Sequence, residues 1–245
     1  MLCMIPISFL YIVLFTFTAS AEDMRIAQAE QLYAQRSDLS RVSQAISLLT
    51  ELIQETPKNY EVQWRLAKYY YFLGKHVTNK EEKFEAFEKG IEAGKQAVLL
   101  QPPRPEGHFW LAANYGTYGR EKGILKSLML VKPMRQELEA AIRIDPLHEN
   151  GSAYAILGKL DSEVPRLFGG SLKRGIDYLE KAVKIGPDNS LAKLFLAESY
   201  LYAKRKEEAK QLLEEILTMA PDKNYEFEFT ENQQEARRLL AKNFE

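Results

Sequence analysis

The chain is 245 residues long and 46% hydrophobic, and it carries 33 basic against 34 acidic residues for a net charge of -1. That balance gives no electrostatic reason to expect nucleic acid or an anionic membrane as a partner. The one cysteine, Cys3, lies near the start, so the rest of the chain can form no disulfide and must be held by packing alone.

The first element is the apolar stretch MLCMIPISFLYIVLFTFTASAED. Its run from Ile7 to Phe17 is shorter than the roughly 20 apolar residues of a membrane-spanning helix, and it leads into the small triplet Ala19-Ser20-Ala21. Residues 1–21 therefore read as a signal peptide cleaved after Ala21, and residues 22–245 as a single exported domain. Cys3 precedes the apolar run, where a lipoprotein cysteine would follow it, so no lipid anchor is expected.

Beyond the leader, amphipathic runs are punctuated by prolines in equivalent contexts: Pro57, Pro102, Pro146, Pro187 and Pro221, spaced by 45, 44, 41 and 34 residues. A helix-turn-helix period of about 34 residues is the signature of the tetratricopeptide repeat (TPR). The spacing predicts an all-α, TPR-like solenoid of about five helix pairs closed by a C-terminal capping helix. Its units run over about 23–57, 58–102, 103–146, 147–187 and 188–221, with the cap in 222–245.

In chain order, a first helix is predicted over Met24 to Gln35, and Ala45, Leu49 and Leu52 mark its partner. Leu66, Ala67 and Tyr70 open the second unit, and Leu111, Ala112 and Tyr115 the third. The fourth needs a two-residue shift to align Tyr154, Leu157 and Gly158. The fifth is the clearest, with Leu196, Ala197 and Tyr200 followed by Ala209, Leu213 and Ile216, although Lys193 stands where an aromatic is expected. The alanines allow close helix approach, and Tyr70 and Tyr115 are placed in the seams between neighbouring pairs. The long third unit contains YGREKGILKSLMLVKPMRQEL, in which Gly119 and Gly123 permit a turn and Pro133 starts the next helix. ILKSLMLV is too apolar for a solvated loop, so it should fold back or line a cavity. The capping helix is predicted from Glu231 to Asn243.

His76, His108 and His148 lack metal-ligand spacing, and no nucleophile elbow, P-loop or dinucleotide fingerprint occurs. Phe168-Gly169-Gly170-Ser171-Leu172-Lys173 has no preceding strand and reads as a turn, and Asn150-Gly151-Ser152 fits a glycosylation sequon. The chain is expected to be a binding protein with no cofactor or metal, not an enzyme. Aromatic clusters are its main signal: Trp64, Tyr69, Tyr70, Tyr71 and Phe72, then Phe109, Trp110, Tyr115 and Tyr118. Three adjacent tyrosines point about 100° apart, so one seam cannot bury them all. Projection of the repeat places Trp64, Tyr71, Phe109 and Leu194 on the concave side, with Trp110 beside them, as candidates for an apolar ligand or partner segment. Packing accounts for these positions as well as binding does. Lys122 and Lys132 flank the apolar insertion and are candidates to orient a carboxylate.

The stretch EGHFWLAANYGTYGREKGILKSLMLVKPMRQELEAAIRIDP, with the Y-x2-LG helix, VPRLFGGSLKRGIDYLEKAV and the last repeat, resembles TatT, the TPR component of tripartite ATP-independent periplasmic (TRAP) transporters. The likeness runs from about Glu30 to Ala220 and implies a periplasmic protein whose helices surround an apolar pore. It also implies association with the transporter's solute-binding protein, a hydrophobic small-molecule ligand and assembly as a homo-oligomer. A general exported scaffold that holds a peptide or helix in the TPR groove is the alternative. A more distant likeness is to the eukaryotic regulators of microtubule dynamics, from which the predicted export points away.

Overall fold

In a computed structural model, which describes residues 20–221 and 225–244, every regular element is helical. Five antiparallel pairs follow one another: α1 (Ala21–Ala34) with α2 (Leu39–Glu55), α3 (Tyr60–His76) with α4 (Lys80–Leu100), α5 (Pro105–Lys122) with α6 (Ile124–Ile144), α7 (His148–Glu163) with α8 (Leu172–Ile185), and α9 (Ser190–Tyr202) with α10 (Lys206–Thr218). A single helix, α11 (Glu226–Phe244), ends the chain. The predicted leader lies outside the described residues except for Ser20 and Ala21. Ser20 is the N-cap of α1 and forms a capping box with Asp23.

Local chemistry sets the helix ends. Asp38, Asn59, Asn79, Ser171 and Asn189 each accept a first-turn backbone N–H at the start of α2, α3, α4, α8 and α9, while α5 starts on Pro105. At the other ends, α2, α4, α6 and α8 stop two residues before Pro57, Pro102, Pro146 and Pro187, whose rings push the preceding residue out of helical geometry. The apolar insertion departs from expectation. It is helical from Ile124 onward, and Pro133 lies inside α6 instead of starting it. Only Gly123, at φ 99°, forms the turn. The two-residue shift of the fourth unit also has a cause. Glu149, Asn150 and Gly151 all adopt left-handed backbone angles, so regular α7 begins only after them.

Small residues bring the helices together. Ala67, Ala112 and Ala197 are fully buried at equivalent positions, and a Cβ on Gly158 would sit 2.6 Å from Leu179 Cγ. Asn114, also buried, donates to the carbonyls of Ala67 and Trp110 at 3.0 and 2.8 Å and so ties α5 to α3. Four residues after the leucine where other units carry Tyr70, Tyr115 and Tyr200, the fourth unit has Asp161. Its carboxylate is fully buried and paired with Arg135 of α6 and Arg174 of α8. Burial disfavours its charge, but these two arginines outweigh burial and hold its pKa below the usual carboxylate range.

Two experiments test this packing. Ala197→Leu should cost about 1–3 kcal/mol by overpacking, read as a fall in melting temperature. Asp161→Asn should cost roughly 2–4 kcal/mol at neutral pH, less than a fully enclosed pair because Arg174 remains partly exposed. Because the folded-state pKa is lowered, the wild-type advantage is complete above pH ~4 and fades as the pH falls further. Melts of both proteins across that range measure it.

Candidate functional site

The first helices of the pairs, α1, α3, α5, α7 and α9, line the concave side of the superhelix, and α11 reaches back across it. Arg36, at the end of α1, forks onto Glu228 of α11 with contacts of 2.8 and 2.6 Å. Lys75 and His76 of α3 approach Glu231 at 3.3 and 3.6 Å. The rings of Phe72 and His76 pack on Phe227, with centroids 5.4 and 5.2 Å apart. The predicted cap is therefore also a clasp. Burial works against the charge of Arg36, yet its hydrogen bonds to Glu228 raise its pKa. Burial, followed by the Lys75 charge, lowers the pKa of His76.

The clasp spans a cavity of about 980 Å³ that stays open toward the α5–α6 and α7–α8 turns. Its apolar wall comes from Tyr71 and Trp110, from Leu128, Val131 and Met134 on α6, and from Ile156, Leu160, Leu194 and Phe195. The insertion thus lines the cavity with one face. Most cations on the wall carry counter-charges, with Arg120 at the exposed rim outside these pairs: Lys68 faces Glu149 at 3.8 Å, and Lys159 bridges Glu163 and Glu198 at 2.9 and 2.6 Å. The hydroxyl of Tyr225 donates to the same Glu149. Such a wall offers apolar area and self-neutralised charge, which favours an uncharged or largely apolar occupant.

Of the seven residues proposed from sequence, Tyr71, Phe109, Trp110 and Leu194 meet on this wall. Phe109 and Trp110 are also core residues, only 4% and 7% exposed. Trp64 lies outside the cavity. Its indole N–H donates to Glu61 at 2.9 Å and its ring lies under Arg65. Lys122 turns outward, with its ammonium 3.8 Å from the Phe84 ring centre and 3.9 Å from Glu88, and Lys132 is exposed. Neither lysine lines the cavity. The seam tyrosines also differ from expectation: Tyr69, stacked on Tyr33 at 4.2 Å, is the deeply buried one, whereas Tyr70 and Tyr115 are half-buried and Tyr115 borders the cavity. His108 is packed between Glu137 and the Pro102 carbonyl, at 2.5 and 3.0 Å. The residues missed from sequence are those of the clasp, Arg36, Phe227, Glu228 and Glu231, whose partners are too distant along the chain for any local pattern to pair them.

Two family models match. Regulator of microtubule dynamics protein 1-3 matches residues 25–168, and TRAP transporter T-component matches residues 106–245. Each covers more than half of the chain, and the second includes both the insertion and the clasp helix. The chain belongs to the TRAP transporter T-component family. The overlap of the two models, from α5 into α7, contains the HFW-to-VKP segment that carried the sequence resemblance. No curated protein matches. Among solved structures, a thermophilic TPR protein of Thermus thermophilus is 22% identical, with 89% of this chain and 100% of that chain covered and a TM-score of 0.61. PilW, described as a type IV pilus biogenesis factor, is 16% identical with 93% and 95% covered and a TM-score of 0.60. PilF of Pseudomonas aeruginosa is 15% identical with 92% and 94% covered and a TM-score of 0.57. These likenesses establish the TPR fold. With the family, they make the chain a TRAP transporter T-component of TPR fold. Among the described residues, no helix is long and apolar enough to cross a membrane.

The clasp gives a direct test. Arg36→Ala should lower stability by roughly 2 kcal/mol, between the values for exposed and buried ion pairs. Amide exchange should rise selectively in α11, as mass spectrometry of exchanged peptides would show.

Proposed function

We propose that this protein is an exported accessory of a TRAP transporter that holds an apolar small molecule inside its clasped superhelix and docks the solute-binding protein on its outer surface. The observation that carries this reading is the cavity of about 980 Å³, apolar along its wall and internally charge-balanced. Its volume falls within the range of small-molecule sites, roughly 300–1,000 Å³. Family membership supports the transporter context, and the apolar leader of residues 1–21 supports export to the periplasm. The alternative, a TPR groove holding a partner helix, calls for an open concave face. Here α11 already spans that face.

Titration with cis-parinaric acid tests the ligand half. Tyr71→Ala and Leu128→Ala remove half-buried wall residues, so each should weaken probe binding by about 10-fold with little change in melting temperature. Phe109→Ala and Trp110→Ala are unsuitable for this purpose, because truncating such buried rings should itself cost about 3–5 kcal/mol. Unchanged probe affinity in both wall variants would remove the cavity from consideration. The docking half is tested by mixing the protein with a solute-binding protein encoded beside it. Size-exclusion chromatography should show co-elution, and separate elution at micromolar concentrations would reject that partner.

A further inference from the structure

The corners joining first to second helices of adjacent units lie at one edge of the solenoid, because the pairs repeat in the same orientation. At two of them, large apolar side chains point into water. The α5–α6 corner exposes Ile124 at 83% and Leu125 at 77%, with Met129 one turn further on. The α7–α8 corner exposes Leu167 at 88% and Phe168 at 47%.

The second corner is rigidly built although it buries nothing. The amides of Phe168 and Gly170 both donate to the Pro165 carbonyl, and Ser171 N–H donates to the Asp161 carbonyl at 2.8 Å. Arg174 donates to the Gly169 carbonyl at 2.6 Å while paired with buried Asp161. Gly169 takes a φ of 90°, and a Cβ on Gly170 would collide with the Val164 carbonyl oxygen. Sequence alone marks this glycine pair only as a turn, but its geometry fixes two apolar side chains in an outward position.

The exposed tips of these corners carry cations that are in none of the ion pairs among the described residues, Arg166, Lys173 and Lys126. The α7–α8 turn carries Arg166 and Lys173 at its exposed surface, Arg174 is paired with Asp161, and acids resume on either side at Glu163, which Lys159 neutralises, and Asp177. From Arg120 to Lys132 there are four cations and only Glu121, which Lys83 of α4 approaches at 3.5 Å. Exposed aliphatic and aromatic groups ringed by lysine and arginine match an anionic lipid interface, where apolar tips enter the acyl boundary and cations meet the headgroups. The cavity reaches the same edge, since Ile124, Leu128, Val164 and Pro165 line it.

We propose that the edge formed by the α5–α6 and α7–α8 corners seats this protein on the surface of an anionic bilayer, with Leu167, Phe168, Ile124 and Leu125 inserted and Arg166, Lys126 and Lys173 on the headgroups. This placement is independent of whether the cavity holds a ligand. It also revises the expectation drawn from net charge, because near-neutrality of the whole chain conceals a local excess.

Vesicle co-sedimentation tests it, using the chain from Ser20 onward, which contains every described helix and both halves of the core. Binding should be strong to phosphatidylcholine vesicles containing phosphatidylglycerol, weak to phosphatidylcholine alone, and reduced by salt. The pair Leu167→Ser with Phe168→Ser, and separately Arg166→Glu with Lys173→Glu, should each lower partitioning by about 10-fold or more. Both should leave the melting temperature unchanged, because these side chains are exposed. Equal binding to neutral and anionic vesicles would overturn the proposal, as would binding that neither pair alters. A dimer on size-exclusion chromatography that the Leu167→Ser, Phe168→Ser pair dissolves would assign the edge to contact between copies and overturn it equally.

Discussion

The ionic fork between Arg36 and Glu228 is the contact on which the cavity depends. A row of TPR pairs, left alone, curls into an open superhelix whose concave face meets water. Here the last helix returns to the first two first-helices of the row, and the concave face becomes the wall of a chamber. A buried ion pair contributes little net stability compared with apolar packing, because desolvation consumes most of the Coulomb gain. It is, however, demanding in geometry. A guanidinium and a carboxylate that meet along two hydrogen bonds fix the distance between the end of α1 and α11, and the Phe72–Phe227 contact packs beside them.

Much of the repeat architecture was legible because it is local. Proline spacing and side chains four residues apart are read along the chain, and packing follows them. The adjacent tyrosines show where such reading stops. The 100° argument requires them to face different surroundings, and they do: Tyr69 stacks on α1, Tyr70 lies beneath Lys89 of α4, and Tyr71 reaches the cavity. Which tyrosine takes which direction depends on the superhelical twist between units, a quantity no single repeat encodes. The same twist carries Trp64 away from the chamber that Tyr71 lines. Lys122 was misplaced for a chemical reason, since the Phe84 face and Glu88 draw its ammonium outward.

The fourth unit departs most from the repeat pattern, and its departures form one group. Its left-handed entry at Glu149–Gly151 borders the cavity, its seam position holds Asp161 in place of a tyrosine, and the corner between its two helices is the braced turn of Leu167 and Phe168. Backbone in sparsely populated geometry and a buried charge both cost free energy, and packed surroundings must offset them. Here Asn189 donates to the Asn150 carbonyl at 2.9 Å, while Arg135 and Arg174 satisfy Asp161. The unit that fits the repeat least therefore organises both the chamber wall and the exposed edge.

The core is divided into two parts. One apolar cluster fills the first three units and takes in Ala153 and Leu157 of α7, another fills the remainder with α11 and takes in Tyr154 and Ala155 of the same helix, and Ile142 and Tyr178 are partly buried side chains that pack against both. The two bodies therefore share one helix, α7, which packs one face into each. The Arg36–Glu228 fork ties the far ends of the two bodies, where a small angular change becomes a large displacement. Chamber volume is therefore set at two places, the shared α7 and the clasp, and the clasp acts with the leverage of the whole arc.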